Sequence, residues 1–391
     1  MTPARFGAVA ALAAVPFALA YRFAHVYRTR AGLPRPHPPV VTPGDVGLDF
    51  ETVTVSTPDG LDLPGWFVPA NGGAPGPGVV LVHGWESARD RTLPNIQFLN
   101  AAGFHCLTFD VRGHGTNPAE SLPISGGEFG TDAAAAFATL LSRPEVTRGA
   151  IVGHSMGGIG ALLAAAHDPR VEAVVAASTP ADPWRLTRQT FRLAHLPLPG
   201  VLAWPLAWLT ARVYLRPRGH TVTEVSASEA IAHCSAPVLL IHGTEDQVVP
   251  FAHLARLRGA AGPGRQEAGK APRGGRVRAG SHAADVRSLV IEEGHHSWLY
   301  EFPTYRAAVA RFLTEALGGP LTPDEAAARA QAVAATRLPE EESVFSAVAA
   351  EPGGMRSLVS VVTGSPPSMQ PAVAADTILV SDPARATAES A

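Results

Sequence analysis

Six short, nearly unbroken apolar runs recur along the chain: Val79-Val80-Leu81-Val82, Cys106-Leu107-Thr108-Phe109, Ala150-Ile151-Val152, Val171 to Ala177, Val238-Leu239-Leu240-Ile241 and Leu289-Val290-Ile291. Each has the length of a strand and lacks the alternation of a half-exposed one, so both of its faces must be covered. Between the runs fall stretches with helical spacing: Leu93 to Ala102, Thr131 to Leu141, Met156 to His167, Pro250 to Leu257 and Tyr305 to Leu317. A parallel pair of strands needs a long crossover, and a helix supplies one while covering a sheet face. The pattern predicts an α/β fold with a mostly parallel central sheet and helices on both faces. Ahead of it, Glu51 to Ser56 alternates like a half-exposed strand, Thr57-Pro58-Asp59-Gly60 reads as a turn, and Leu61 to Val68 returns. A hairpin opens the domain.

With 391 residues, 46% of them hydrophobic, and a formal net charge of -3, the chain can bury one sizeable core and carry extra segments around it. Nothing in that balance suggests a nucleic-acid partner. Lys270 is the one lysine against many arginines, a compositional bias that lowers the weight of any arginine-rich patch. Cys106 and Cys234 are each placed at the start of an expected strand, and two isolated thiols define neither a disulfide framework nor a zinc site. They read as buried, inert cysteines, and no metal or other cofactor is expected.

The N-terminal 30 residues differ from the rest. Arg5 precedes an uncharged, mostly apolar run from Phe6 to Tyr21, followed by Arg22, Phe23, Ala24, His25, Val26 and Tyr27. The first expectation is a retained membrane anchor, a helix continued to Tyr27 with Arg22 reaching the interface and Pro16 kinking it. The alternative is a secretory signal, with Arg5 as its charged region and Ala18-Leu19-Ala20 as its cleavage site. The near absence of polar residues between Phe6 and Tyr21 argues against an ordinary amphipathic helix. Arg22, Arg28 and Arg30 outnumber Arg5, which would put the body of the chain on the cytoplasmic side.

Composition divides the remainder. Residues 31–48 are proline-rich and read as an extended linker, and 49–318 as the α/β domain. Within that domain a longer interval, about 181–230, contains the strongly apolar Leu196 to Leu215 with Trp204 and Trp208, the expected place for a helical lid. Residues 260–284 are glycine-rich, with Arg265, Lys270, Arg273, Arg276 and Arg278, and read as a flexible surface insertion. Residues 319–391 are of low complexity, and apart from a helix at Pro323 to Arg337 they are expected to lack structure.

The chemistry centres on Ala150-Ile151-Val152-Gly153-His154-Ser155-Met156-Gly157-Gly158, where a serine stands between glycines at the end of a strand-like run. This G-x-S-x-G pattern makes a sharp strand-to-helix turn that larger side chains would block, and it holds the hydroxyl up for attack. The helix that follows points its first N–H groups toward developing negative charge. A serine hydroxyl is a poor nucleophile, so it needs a base and an acid that orients the base. His242-Gly243-Thr244-Glu245-Asp246 follows one strand and Glu292-Glu293-Gly294-His295-His296-Ser297-Trp298 the next, at the sheet edge where catalytic groups gather. The order serine, acid, histidine is that of the α/β-hydrolase triad. Backbone N–H groups of Met156 and of Trp85, in the loop His83-Gly84-Trp85-Glu86, are the expected oxyanion donors.

Together with Gly65-Trp66-Phe67-Val68-Pro69, Asp110-Val111-Arg112-Gly113-His114-Gly115 and Gln247-Val248-Val249-Pro250, these motifs make the chain resemble the α/β-hydrolase superfamily over about Glu51 to Leu317. Within it the chain is similar to BEM46-like and serine aminopeptidase-type bacterial hydrolases. The resemblance implies the α/β-hydrolase fold, Ser155 as nucleophile and Asp246, rather than Glu245, as the acid. Counting from Ile291 selects His296 as the base, while attachment directly to Gly294 selects His295. Relatives that are dehalogenases or epoxide hydrolases carry Asp where Ser155 stands. The implied activity is hydrolysis of a small-molecule carboxylic ester, an acyl ester on the strength of Leu196 to Leu215. Peptidase and thioesterase activities share the fold. A protein that keeps the fold for lipid binding or scaffolding is the reading from another class, and it requires Ser155 and His296 to lie too far apart for a hydrogen bond. His83, His114, His154 and His242 read as structural, Glu128 and Asp132 as organising a helix and its loop, and Glu86 and Arg89 as neighbours of the oxyanion loop.

Overall fold

The computed structural model describes residues 3–194, 196–262, 285–334, 336 and 338, with side chains from Ala14 onward apart from that of Asn71. Eight strands form one sheet: β1 (Glu51–Ser56), β2 (Asp62–Val68), β3 (Gly76–Val82), β4 (His105–Phe109), β5 (Val146–His154), β6 (Val171–Ala177), β7 (Val238–Gly243) and β8 (Val286–Ile291). Their order across the sheet is β1-β2-β4-β3-β5-β6-β7-β8. β1 and β2 pair antiparallel, Glu51 opposite Phe67, and β2 pairs antiparallel with β4. Every later pair is parallel. β3 and β4 are buried along their whole length, as their unbroken apolar runs require, whereas β1 at the edge is mostly exposed.

Ten helices accompany the sheet among the described residues: α1 (Pro3–Ala31), α2 (Leu93–Ala101), α3 (Gly126–Leu141), α4 (Met156–His167), α5 (Pro183–Leu193), α6 (Gly200–Leu215), α7 (Ala227–His233), α8 (Ala252–Ala260), α9 (Pro303–Leu317) and α10 (Pro323–Ala332). The side-chain alternation of the strands divides the core into two layers. Val80 and Val82 of β3 join Phe129 and Phe137 of α3 and Leu162 of α4, while Val79 and Leu81 face Phe98 of α2 and Phe312 of α9. α3 begins before Thr131 because Ser125 and Glu128 form a capping box that closes its first turn, a start obscured in the sequence by three glycines. Asp132 of the same helix receives the Arg112 guanidinium, which also reaches Asp59 in the opening turn.

Several expectations require correction. Cys234 does not begin a strand: it caps α7, and β7 starts at Val238, after Pro237, which has no N–H to give a ladder. Leu196 lies outside α6, because Pro197 and Pro199 hold that stretch out of the helix. Between β6 and β7 the chain inserts α5, α6 and α7. α10 ends at Ala332 and buries Ala326, Ala327 and Ala330, of which Ala326 and Ala330 join the layer that contains α9. The expected insertion at 260–284 starts inside α8, which ends at Ala260, and its residues 263–284, like the part of the expected 319–391 tail from 339 onward, lie outside the described residues.

The N-terminal segment departs furthest from its expected role as a transmembrane anchor. It is helical, but among the described residues no helix is long and apolar enough to cross a membrane. The uncharged run Phe6 to Tyr21 spans about 24 Å at 1.5 Å per residue, short of a hydrocarbon core of about 30 Å, and the continuation to Tyr27 that would lengthen it is taken up by packing on α5 and α6. The helix docks on the body of the protein instead. Phe23 and Ala24 are buried, with Phe23 packed on Phe191 of α5 and Ala207 of α6, and the Tyr27 and Thr190 hydroxyls lie 2.6 Å apart. The proline-rich segment after it is held to the surface, where Ile124 N–H donates to the Gly32 carbonyl at 2.8 Å and Val40 N–H to Asp90 at 2.8 Å.

Candidate active site

β5 ends at His154, and the chain turns at once into α4, leaving Ser155 at the bend with φ 54°. A non-glycine residue in that region is strained, and the surrounding backbone holds it there. A Cβ on Gly157 would lie 2.2 Å from the Val82 carbonyl oxygen, and one on Gly153 2.2 Å from that of Gly157. Glycine is therefore required at both positions for the turn to close against β3. Gly84, in the loop after β3, abuts the same bend: a Cβ there would stand 3.4 Å from that of Ser155. Met156 heads α4 and Trp85 follows Gly84, so both expected oxyanion donors belong to segments that border Ser155, and both residues line the same cavity.

The loops after β7 and β8 meet because these strands are parallel neighbours, with Gly243 opposite Ile291. Their contact is backbone to backbone, Thr244 N–H to the Ile291 carbonyl at 3.0 Å and Glu245 N–H to that of Gly294 at 3.0 Å. This arrangement brings Asp246 and His296 to Ser155. His296 Nε2 lies 3.1 Å from Ser155 Oγ, and His296 Nδ1 lies 2.8 Å from Asp246 Oδ2. The other oxygen of Asp246 accepts the N–H groups of Val248 at 3.0 Å and Val249 at 2.7 Å. Burial raises the Asp246 pKa, but its bonds to His296 and Val249 outweigh burial and hold the carboxyl below its ordinary range. The line from serine to histidine to carboxylate is continuous. The distance that a non-catalytic scaffold would need between Ser155 and His296 is absent.

His295 and Glu245 border the same cavity but take no part in that line. They face each other across 3.7 Å on the surface, their side chains 66% and 53% exposed. The turn that separates the two histidines runs through Glu293 at φ 59° and Trp298 at φ 67°. Sequence counting left the pair open because a loop with two left-handed residues has no fixed side-chain period.

The remaining histidines hold loops. Val111 N–H donates to His83 Nε2 at 3.0 Å, so His83 carries its proton on Nδ1 and donates it to the Gly84 carbonyl at 2.7 Å. Burial pushes its pKa down to about 4, which keeps it neutral. His114 donates to the Arg112 carbonyl and His242 Nε2 to that of Val249, 2.7 Å away, beside Asp246. His154 has a closer link to the site. Its Nε2–H donates to the carbonyl of His296 at 2.7 Å, and burial, reinforced by His296, lowers its pKa to about 4. A histidine inside the G-x-S-x-G pattern thus supports the loop that carries His296, a role with no signal in the spacing. Arg89 is committed to Asp110 and lies 4.4 Å over the Trp66 ring, while Glu86 lines the cavity. Among the described residues no group of His, Cys, Asp and Glu could hold a metal ion.

Ser155 and His296 open into a cavity of about 750 Å³, within the usual size of a small-molecule site. Its walls are largely apolar and aromatic. Met156 and Ile159 come from α4, Leu186 from α5, Tyr214 from α6, and Trp298 and Tyr300 from the segment before α9. Tyr27 and Ala31 of α1 complete the wall, a contribution that composition could not disclose because the segment reads as apolar whatever it packs against.

A model of the α/β hydrolase fold matches residues 77–197. The uncharacterized protein Rv2307c of Mycobacterium tuberculosis is 32% identical over 212 residues, covering 54% of this chain and 66% of that protein. The human mitochondrial palmitoyl-protein thioesterase ABHD10 is 26% identical over 186 residues, 45% of this chain and 58% of that one. Among solved structures, the Pyrococcus furiosus esterase Pf2001 superimposes with a TM-score of 0.55 at 21% identity, over 73% of this chain and 97% of that one. The alignments with these two sequence relatives thus span two thirds of their length or less.

Proposed function

The chain belongs to the α/β-hydrolase superfamily, and on that premise we propose that it is a serine hydrolase acting on acyl esters through an acyl-enzyme intermediate. The observation that carries this reading is the Ser155–His296–Asp246 line, with its 3.1 Å and 2.8 Å links. Ser155 Oγ attacks the ester carbonyl carbon as its proton passes to His296 Nε2. The negative charge that develops on the carbonyl oxygen is received by the N–H groups of Trp85 and Met156, whose value lies in being oriented before the reaction begins. Asp246 keeps the Nδ1 proton in place and stabilises the imidazolium. Collapse of the tetrahedral intermediate breaks the bond to the alcohol, which leaves with the proton from His296. Water then repeats the sequence on the acyl-enzyme, giving the carboxylic acid and restoring Ser155.

The apolar cavity favours an acyl chain over a charged or peptide substrate, with α5 and α6 serving as its lid. The thioesterase reading is favoured by the likeness to the palmitoyl-protein thioesterase ABHD10, since a thioester offers the same carbonyl with a better leaving group. A fluorophosphonate probe should label the folded wild-type protein at Ser155 and spare Ser155→Ala. Absence of labelling in folded wild type overturns the proposal, and turnover of p-nitrophenyl esters and acyl thioesters of graded length separates its two forms.

A further inference from the structure

The exposed apolar side chains of this protein are concentrated on one face. Of the twelve large exposed hydrophobic residues among those described, eight lie on α1 and α6. Val201, Leu202, Trp204 and Trp208 project from α6, and Phe17, Leu19 and Tyr21 stand among those on α1, with Val201 78% and Phe17 76% exposed. The two helices run side by side in the same direction, since Phe23 meets Ala207 and Tyr27 stands 6.5 Å from Tyr214. Their exposed residues therefore belong to one surface. A patch of this size on a folded chain marks a surface with a partner.

Charge says which partner. α1, α5 and α6 together contain eight arginines and no Asp or Glu, in a chain whose 34 acidic residues all lie elsewhere. The cations are interleaved with the aromatics. Arg212 lies 3.8 Å over the Trp208 ring, Arg188 5.2 Å over Trp204, and Arg185 4.3 Å over Trp184, whose ring stands 4.4 Å from that of Trp204. Asp182, ahead of α5, pairs with Arg185 at 3.0 Å. Arg188 and Arg192 share their helix with no acid of their own. Indole rings with aliphatic neighbours and a surround of guanidinium groups match the boundary between acyl chains and anionic headgroups.

We infer that the outer face of α1, α5 and α6 docks on an anionic lipid surface, with its apolar side chains at headgroup depth and its arginines on the phosphates. The helices then lie in the plane of the interface rather than across it, which asks for no span. The same three helices wall the catalytic cavity, through Tyr27 and Ala31, Leu186 and Thr190, and Ala211 and Tyr214. A docked molecule therefore presents that wall to a lipid phase from which an acyl substrate can pass to Ser155. The docking surface stands apart from the hydrolase reading, since binding needs no turnover.

Cosedimentation of the full chain with vesicles tests it, using phosphatidylcholine alone and phosphatidylcholine mixed with phosphatidylglycerol. The wild-type protein, and Ser155→Ala equally, should bind the mixed vesicles and lose that binding as salt is raised. Arg188→Gln and Arg212→Gln should each weaken it about fivefold. Val201→Ser with Leu202→Ser, two exposed positions whose change leaves the core intact, should weaken it by about tenfold or more. Trp204 and Trp208 do not line the cavity, so Trp204→Ser with Trp208→Ser should lose vesicle binding yet keep fluorophosphonate labelling. Failure of wild type to bind mixed vesicles, equal binding of all variants, or self-association through this face without vesicle affinity would each overturn the inference.

Discussion

Replacing His154 by glutamine should make the protein less sensitive to acid while leaving the support of His296 in place. The His154 ring is part-buried, desolvation and the neighbouring His296 push its pKa down to about 4, and its Nε2–H is bonded to the His296 carbonyl at 2.7 Å. In the unfolded chain the same ring titrates near ~6.5. Between these values the unfolded state binds the extra proton, so stability rises with pH across the window and is lost as pH falls through it. Above about 6.5 the contribution is complete, and below about 4 both states are protonated and the loss levels off. Integrated from about pH 7 to about pH 5, this one group removes about 2 kcal/mol of unfolding free energy, a large part of the margin of an ordinary domain. His83, also held near 4 by burial, titrates alike in wild type and variant and cancels from the comparison.

Equilibrium urea unfolding at the two pH values measures the effect. The wild-type loss should exceed that of His154→Gln by about 2 kcal/mol. Glutamine can still donate to the His296 carbonyl, so its turnover at neutral pH should stay within about tenfold of wild type. His154→Leu, which leaves that carbonyl without its donor at a cost of about 1–3 kcal/mol, should lose more in kcat than in KM. An equal acid loss in wild type and His154→Gln would refute the claim that this ring is held neutral by burial.

Asp246→Asn should lower kcat by about 10⁴-fold with little change in KM, because His296 loses the partner that fixes its tautomer and stabilises its charged form; steady-state kinetics on a p-nitrophenyl ester reads it. His295→Ala should remain within about twofold of wild type in the same assay, its ring being paired on the surface with Glu245, whereas His296→Ala should fall to the level of Ser155→Ala. Ala31→Phe places a ring where α1 lines the cavity and should shift preference toward shorter acyl chains by raising KM for the long ones, read from a series of esters of graded length.

Local pattern carried much of this protein. Five of the six apolar runs marked buried strands because a parallel sheet covered on both faces must be apolar on both, whereas Leu289-Val290-Ile291 falls on the edge strand β8, where Val290 is exposed; Val171–Ala177 and Met156–His167 have the bounds their periodicity implies. The glycines around Ser155 marked the turn because no other residue lets its backbone close on Val82. Motif order pointed to a carboxylate in the loop after β7, which ends at Gly243, and the family resemblance selected Asp246 over Glu245.

What composition could not reach was decided by contacts distant in sequence. The side of the loop that each histidine takes depends on the backbone of Gly294 touching that of Gly243 and Glu245, and a local reading has no access to the partner strand. Near Ser155, His154 acts through a residue 142 positions away. The N-terminal helix shows the division most plainly. Its sequence determined that it is apolar and helical, but hydrophobic free energy is non-directional. Only the fold, by offering Phe191 and Ala207 to Phe23 and Thr190 to Tyr27, decided that the end of this helix packs on the body of the protein and walls its cavity.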